Sequence, residues 1–456
     1  MPRDFVFVGP SLPRAQVEAL LPGASILPPV RLGDLLRIGA RAGDRVLIID
    51  GLFLQQAPVR HKEILALLAE GVTVIGSSSM GALRAAELYQ YGMRGVGEVF
   101  ELYRSGAIDG DDEVAVIHTT GDDGYRPLSE PLVSIRVAIG EAARDGAITA
   151  DTAAALLRIA KALPFRLRSR RMLVQCARQE LAADAVDRFD AWYGGHARDL
   201  KAADAVAMLT RAASGDPALA PAGPLDRPVA NPATAHVVSW ADRFRGQPAG
   251  ETWVADSDVA SAIMLLHPGY PERHRRDVLS EVVGVPAAAP GLEAAAVAEA
   301  AARDLDGRTL AELGAWLSPR ERQRLADPRF ADEAVLRVLV RAFGTVCEAA
   351  KTMRAVRSAA DDDTRRWARA LAAEAITANE LLPPATRPGR LDRMRYRDEV
   401  VDRVFAARWG VEVEDLLEAV WDRGLDSLPT FRRLAEPFVM RLKLGADLPA
   451  PPALAA

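Results

Sequence analysis

Three consecutive serines, Ser77, Ser78 and Ser79, interrupt the segment GVTVIGSSSMGALRAAEL (71–88), which passes from a β-branched apolar run through a turn into a helical pattern. A serine in such a turn becomes a nucleophile when a group able to take its proton lies beside it, and Lys62 stands on the segment just upstream. Ser79 has a small residue, Ser77, two positions before it and Gly81 two positions after it. That spacing is a relaxed form of the nucleophile elbow G-x-S-x-G, whose strict pattern is broken by the serine at position 77. In an elbow the hydroxyl stands clear of the sheet, and the amides that follow, here those of Met80 and Gly81, face negative charge developing on a substrate. The dipole of the helix that begins there favours the same charge, and Arg84 on that helix is a further cationic candidate. The plain alternative is that one of the three serines caps the helix.

Lys62 lies on a helix read over Pro58–Glu70, and its neighbours at i−3, i+3, i+4 and i+7 are Val59, Leu65, Ala66 and Ala69. This apolar stripe places the amine inward, with Arg60, Glu63 and Glu70 toward water. A desolvated amine loses proton affinity, the condition under which lysine serves a serine as general base. The competing reading is a snorkelling lysine, its stem packed and its head in solvent. Of 57 basic residues only Lys62, Lys161, Lys201, Lys351 and Lys443 are lysine, so a compact amine that can deprotonate is rare here; arginine cannot do that work.

Weaker candidates surround this pair. Gly9 and Ser11 follow a strand and either approach the site or form a turn that starts a helix. Asp50 and Gly51 end another strand, where Asp50 could orient Lys62 or cap the next turn. Glu87, three residues after Arg84, offers it a helix-surface ion pair. Asp109, Asp111, Asp112 and Glu113 read as a solvated acidic turn rather than a metal site, and no metal is expected. His118 is a second base or a structural histidine. Cys176 and Cys347 are far apart, which suggests neither a disulfide framework nor a cysteine-based metal site.

The elements that must position these groups are legible as an alternation. Phe5–Gly9, Arg45–Asp50, Val72–Gly76 and Val114–His118 are short β-branched runs that read as buried strands, and Pro13–Leu21, Leu32–Ile38, Pro58–Glu70 and Ser79–Tyr91 read as helices between them. The expected fold is an α/β N-terminal core with a short, mostly parallel sheet flanked by helices, followed by a mainly α-helical C-terminal region. In such sheets sites collect at the carboxyl ends of strands, where the serine turn falls. The domains read as 1–213 (core with trailing helices), 214–234 (a Pro/Gly/Ala-rich linker), 235–447 (helical) and 448–456 (a frayed tail). A formal charge of −5 gives no footprint for nucleic acid, and no run approaches the about 20 apolar residues of a membrane span, so a cytoplasmic protein is expected.

The segments FVFVGPSLP, VLIIDGLF, VRHKEILALLAEGVTVIGSSSMGALRAAELYQYGMRGVGEVFELY and DDEVAVIH resemble the core of the TfuA family, which accompanies YcaO enzymes in peptide backbone thioamidation. The resemblance spans roughly residues 4–125 and rests on several motifs in order, among them HKEIL, SMGALRAAEL and DDEVAV. It implies a hydrolase acting on the C-terminal thiocarboxylate of a ThiS-type sulfur-carrier protein, which releases sulfide for a YcaO partner that modifies a peptide or protein. The family's serine and lysine fall on Ser79 and Lys62. Ser77 and Ser78 stand where small residues such as alanine are expected, and Ser79, placed before Met80 and Gly81, is the expected nucleophile. No cofactor is implied for the chain itself, ATP being used by the YcaO enzyme.

Two other classes compete. One is a non-catalytic adaptor that brings sulfur carrier and peptide to the YcaO enzyme. The other is a phosphate- or nucleotide-binding module, which the absence of a Walker lysine and of G-x-G-x-x-G leaves without support.

Overall fold

A computed structural model of the chain describes residues 2–52, 57–220, 235–305, 316–344, 361–382, 396–445 and 448–454. The chain forms two compact units, Met1–Asn231 and Pro232–Ala456.

The first unit is built on five strands, β1 (Asp4–Phe7), β2 (Ser25–Leu27), β3 (Arg45–Ile48), β4 (Thr73–Ser77) and β5 (Arg94–Val96). All are parallel, in the order β2-β1-β3-β4-β5. Strand residues alternate between two buried faces. Phe5, Phe7, Val46, Ile48 and Val74 pack with α2 (Asp34–Arg37), α3 (His61–Ala69), α4 (Met80–Leu88) and α5 (Glu98–Arg104). Val6, Val8, Leu47, Ile49 and Ile75 pack under α1 (Arg14–Leu20) and under α10 (Leu200–Ala213), which returns from far along the chain. Covering both faces is what allows strands to be apolar throughout. The strand order reverses direction between β1 and β3, the crevice where open α/β sheets collect ligands.

Three expectations change. Val114–His118 is not a strand of the sheet; it is an irregular segment whose one ladder contact is an isolated antiparallel bridge, His118 to Pro127. Val114 is buried and Ala115 to Ile117 are partly buried by packing, which period and composition alone do not distinguish from a strand. The fifth position is taken instead by Arg94–Val96, and β2 by Ser25–Leu27, both too short to stand out as apolar runs.

Helices α6 (Leu132–Arg144), α7 (Ala150–Ala162), α8 (Arg170–Ala177) and α9 (Ala183–His196) bury their own apolar cluster, including Leu132, Ile139, Leu156, Leu173 and Phe189. Most of the expected linker lies outside the described residues. Of its first part, Ser214 is the C-cap of α10 and Leu219 packs on the sheet core.

Among its described residues the second unit is helical apart from one hairpin, β6 (Gly246–Ala249) with β7 (Thr252–Ala255). Its core joins Ile263, Leu371, Phe405, Phe431 and Val439, and Arg341, fully buried, is held by Glu321 and Asp422. The tail read as frayed at 448–456 is attached over its described part. Trp367 Nε1 donates to Pro449 O (3.0 Å), His267 Nε2 lies 3.0 Å from Pro452 O, and Leu448 and Leu454 pack on the core. Among the described residues no helix is long and apolar enough to cross a membrane.

Candidate active site

Strand β4 ends in Ser77, and α4 begins at Met80, so the chain reverses direction within Ser78 and Ser79. The reversal is tight because two backbones touch. A Cβ on Gly76 would stand 2.0 Å from Gly81 O, and one on Gly81 would stand 1.7 Å from Ile48 O. Only glycine fits at either position, which is the physical content of the spacing around the serines. Ser78 absorbs the turn with φ +69°, a left-handed conformation that costs a residue bearing Cβ about 1 kcal/mol.

The three hydroxyls have separate fates. Ser77 is wholly buried and its Oγ donates to Asp204 O (3.1 Å) on α10. Ser78 is wholly buried and its Oγ finds no hydrogen-bond partner. Ser79 occupies the N-cap position yet its side chain makes no capping bond, and the residue lines a cavity. Capping therefore does not account for Ser79.

That cavity, about 70 Å³, is bounded by Pro10 after β1, by Asp50, Gly51 and Leu52 after β3, by Ser79 and Met80 after β4, by residues Val114–His118, and by Asp111 and Phe165. It sits at the carboxyl ends of β1, β3 and β4, the switch point of the strand order. The irregular 114–118 segment forms its outer wall. Two ion pairs hold that wall: Glu113, buried, with Arg136 of α6, and Asp112 with the buried Arg168 (2.6 Å). The acidic turn is therefore not fully solvated; among the described residues no group of three or more His, Cys, Asp and Glu is placed to hold a metal ion.

Asp50 organises the inner wall. Its Oδ2 accepts from the amides of Gly9 (2.9 Å) and Ser11 (3.0 Å), and its Oδ1 accepts from Ser11 Oγ (2.6 Å). The turn after β1 is thereby fixed to the end of β3, and Gly9 and Ser11 act on the site through Asp50. The Met80 N–H, in the first turn of α4, meets no backbone acceptor among the described residues, as expected of an orphan helix donor. The Gly81 N–H donates to Ile49 O (3.2 Å), which removes it as an oxyanion donor. His118 lines the cavity with Nδ1 2.7 Å from Thr119 O and its ring edge-on to Tyr125.

Lys62 and Arg84 are not among the residues lining the cavity. Lys62 is half-buried at the start of α3, and Glu63 is turned inward with Ile64 and Leu67 rather than toward water as expected. The reason is backbone satisfaction: Glu63 accepts from the amides of Arg60 (3.1 Å) and Gly33 (2.8 Å), tying α3 to the start of α2, and burial pushes its carboxyl up to about 7. Arg84 donates to Val59 O (3.2 Å) and pairs with Glu87 (2.6 Å), which also meets His61 (2.8 Å). It clamps α4 to the approach of α3 and supplies no charge to the cavity wall.

One buried cation was missed. Lys201 on α10 is 3 % exposed, and its Nζ donates to Val114 O (3.2 Å) and stands 3.9 Å from Asp50 Oδ1. Both contacts are residues of the cavity wall. Burial lowers its proton affinity and Asp50 counteracts this. In the sequence its rarity as a lysine was the one available signal, since Asp50 lies far upstream.

Residues 50–169 match the family described as TfuA-like protein. The match starts later than the resemblance read from motifs and runs further, so it holds Asp50, Lys62, the serine turn and the 114–118 wall but neither β1 nor Lys201. No curated protein matches the chain.

Proposed function

We propose, from the premise that the chain is a TfuA-family protein over residues 50–169, that it hydrolyses the C-terminal thiocarboxylate of a ThiS-type sulfur carrier. The TfuA-like region links the protein to YcaO-associated thioamidation, and a YcaO enzyme is its partner in that setting. The observation that carries hydrolysis is the Ser79 hydroxyl, at the head of α4 but not spent on capping, opening on a cavity beside the Met80 amide.

The carrier's narrow glycine tail suits a cavity of about 70 Å³ better than a bulky side chain would. Ser79 Oγ adds to the thiocarboxylate carbon, its proton passes to an amine base, and the C–S bond breaks to give an acyl-serine and sulfide. Water then adds to the acyl carbon and the ester bond breaks, restoring Ser79. Overall, thiocarboxylate and water become carboxylate and hydrogen sulfide. The Met80 N–H and the α4 dipole favour the oxyanion at each addition. Lys62 is the amine that the family resemblance assigns as base. The chain itself uses no cofactor; ATP is consumed by the YcaO partner, which spends the sulfide on a peptide or protein amide.

Incubating the purified protein with a thiocarboxylated carrier tests this reading. Sulfide and a carboxylate-ended carrier are expected at turnover above the protein concentration. Binding of the carrier with no sulfide would make the protein an adaptor instead.

A further inference from the structure

A thiocarboxylate is an anion, and the wall it must approach carries a carboxylate. Asp50 lines the cavity and is 1 % exposed. Three donors, from Gly9 and Ser11, bond to its two oxygens and fix the carboxyl in the wall. Left alone, that charge would repel the carrier end, since water cannot screen it inside the wall. The nearest described cation is Lys201, behind the wall, at 3.9 Å from Asp50 Oδ1.

We propose that Lys201 is a positioning residue that neutralises Asp50 and pins the 114–118 wall through Val114 O, so that the cavity accepts an anionic carrier terminus. The inference rests on the functional reading above for the identity of the ligand. It does not rest on the hydrolytic step. Its geometry has three parts that no other lysine among the described residues supplies: burial, a bond to one wall of the cavity and an ion pair to the other. Helix α10 is itself fixed beneath the serine turn. Ser77 Oγ donates to Asp204 O, and the Asp204 carboxylate accepts from the amides of Glu98 (2.9 Å) and Val99 (2.8 Å) at the start of α5. Lys201 thus arrives on a helix held at the ends of β4 and β5. The helix lies outside residues 50–169, so the TfuA-like region alone would leave Asp50 uncompensated.

Asn at position 50 can keep the turn after β1, because its carbonyl oxygen accepts from both amides while its NH2 donates to Ser11 Oγ. Neutralising both partners therefore removes the charges and spares the architecture. The test measures binding of a ThiS-type carrier ending in an ordinary carboxylate, and of the same carrier ending in a neutral amide, to wild type, Lys201→Met and the double variant Lys201→Met/Asp50→Asn. Lys201→Met is expected to weaken the carboxylate-ended carrier by about tenfold or more and the amide-ended one far less. The double variant is expected to regain most of the loss. Equal losses for both carriers, no loss at all, or a double variant as weak as Lys201→Met would overturn the proposal. Should Lys201→Met not fold, a folded double variant that binds like wild type supports it, and one that neither folds nor binds overturns it. Wild type that binds the carrier and releases no sulfide refutes hydrolysis and leaves this comparison standing.

Discussion

Gly81 lies so close to Ile48 that a Cβ on the glycine would stand 1.7 Å from the Ile48 carbonyl oxygen. The serine turn is thus set by backbone-to-backbone packing of α4 on β3. Gly81→Ala should force α4 away from the sheet and cost on the order of 3 kcal/mol or more, since the clash is with main chain that cannot yield. Denaturant unfolding checks this; a variant within about 1 kcal/mol of wild type would show that the helix can shift freely.

Ser78 carries two local costs, a left-handed backbone and a buried hydroxyl without a partner. Ser78→Gly relieves both and should stabilise the protein by about 1–2 kcal/mol while retaining most turnover. A stable Ser78→Gly protein that has lost sulfide release would move the nucleophile to Ser78, where an elbow concentrates its strain.

Glu63 gives a pH signature. Its carboxyl, raised to about 7 by burial, binds a proton more tightly in the folded than in the unfolded chain. Its contribution is fully present below its unfolded value near 4.5, falls as pH rises, and is lost above about 7. The slope amounts to at most about 3 kcal/mol. Glu63→Gln should flatten this dependence and lower stability throughout, because the two oxygens now serve two separate amides. Melting temperatures between pH 4.5 and 8 that fall equally in both proteins would assign the effect elsewhere.

The residues lining the cavity all belong to Met1–Asn231, one of the two compact units. A fragment ending at residue 231 should therefore fold and release sulfide from a thiocarboxylated carrier. A folded fragment without turnover would show that the helical unit takes part in the reaction.

The parallel sheet was legible because β-branched runs at Phe5–Phe7, Arg45–Ile48 and Thr73–Ser77 are buried on both faces and leave no alternation to misread. The same rule misled at Val114–His118, whose side chains are partly buried against a cavity without a ladder. Glu63 was expected to face water because helical spacing ranks residues by polarity, and it is inside for its backbone hydrogen bonds. Ser79, Asp50, Gly51 and His118 were found by their places at strand ends and in motifs, and the structure does bring them to one cavity. Lys201 was out of reach, since pairing across the sheet between Asp50 and a helix far along the chain leaves no local pattern.

The most direct measurement is sulfide release from a thiocarboxylated ThiS-type carrier by Ser77→Ala, Ser78→Gly and Ser79→Ala proteins, each checked for folding and carrier binding. Ser79→Ala is expected to bind the carrier and release no sulfide above background while the other two turn over. Sulfide release by Ser79→Ala at the wild-type rate, with contaminating lyases excluded, would contradict it.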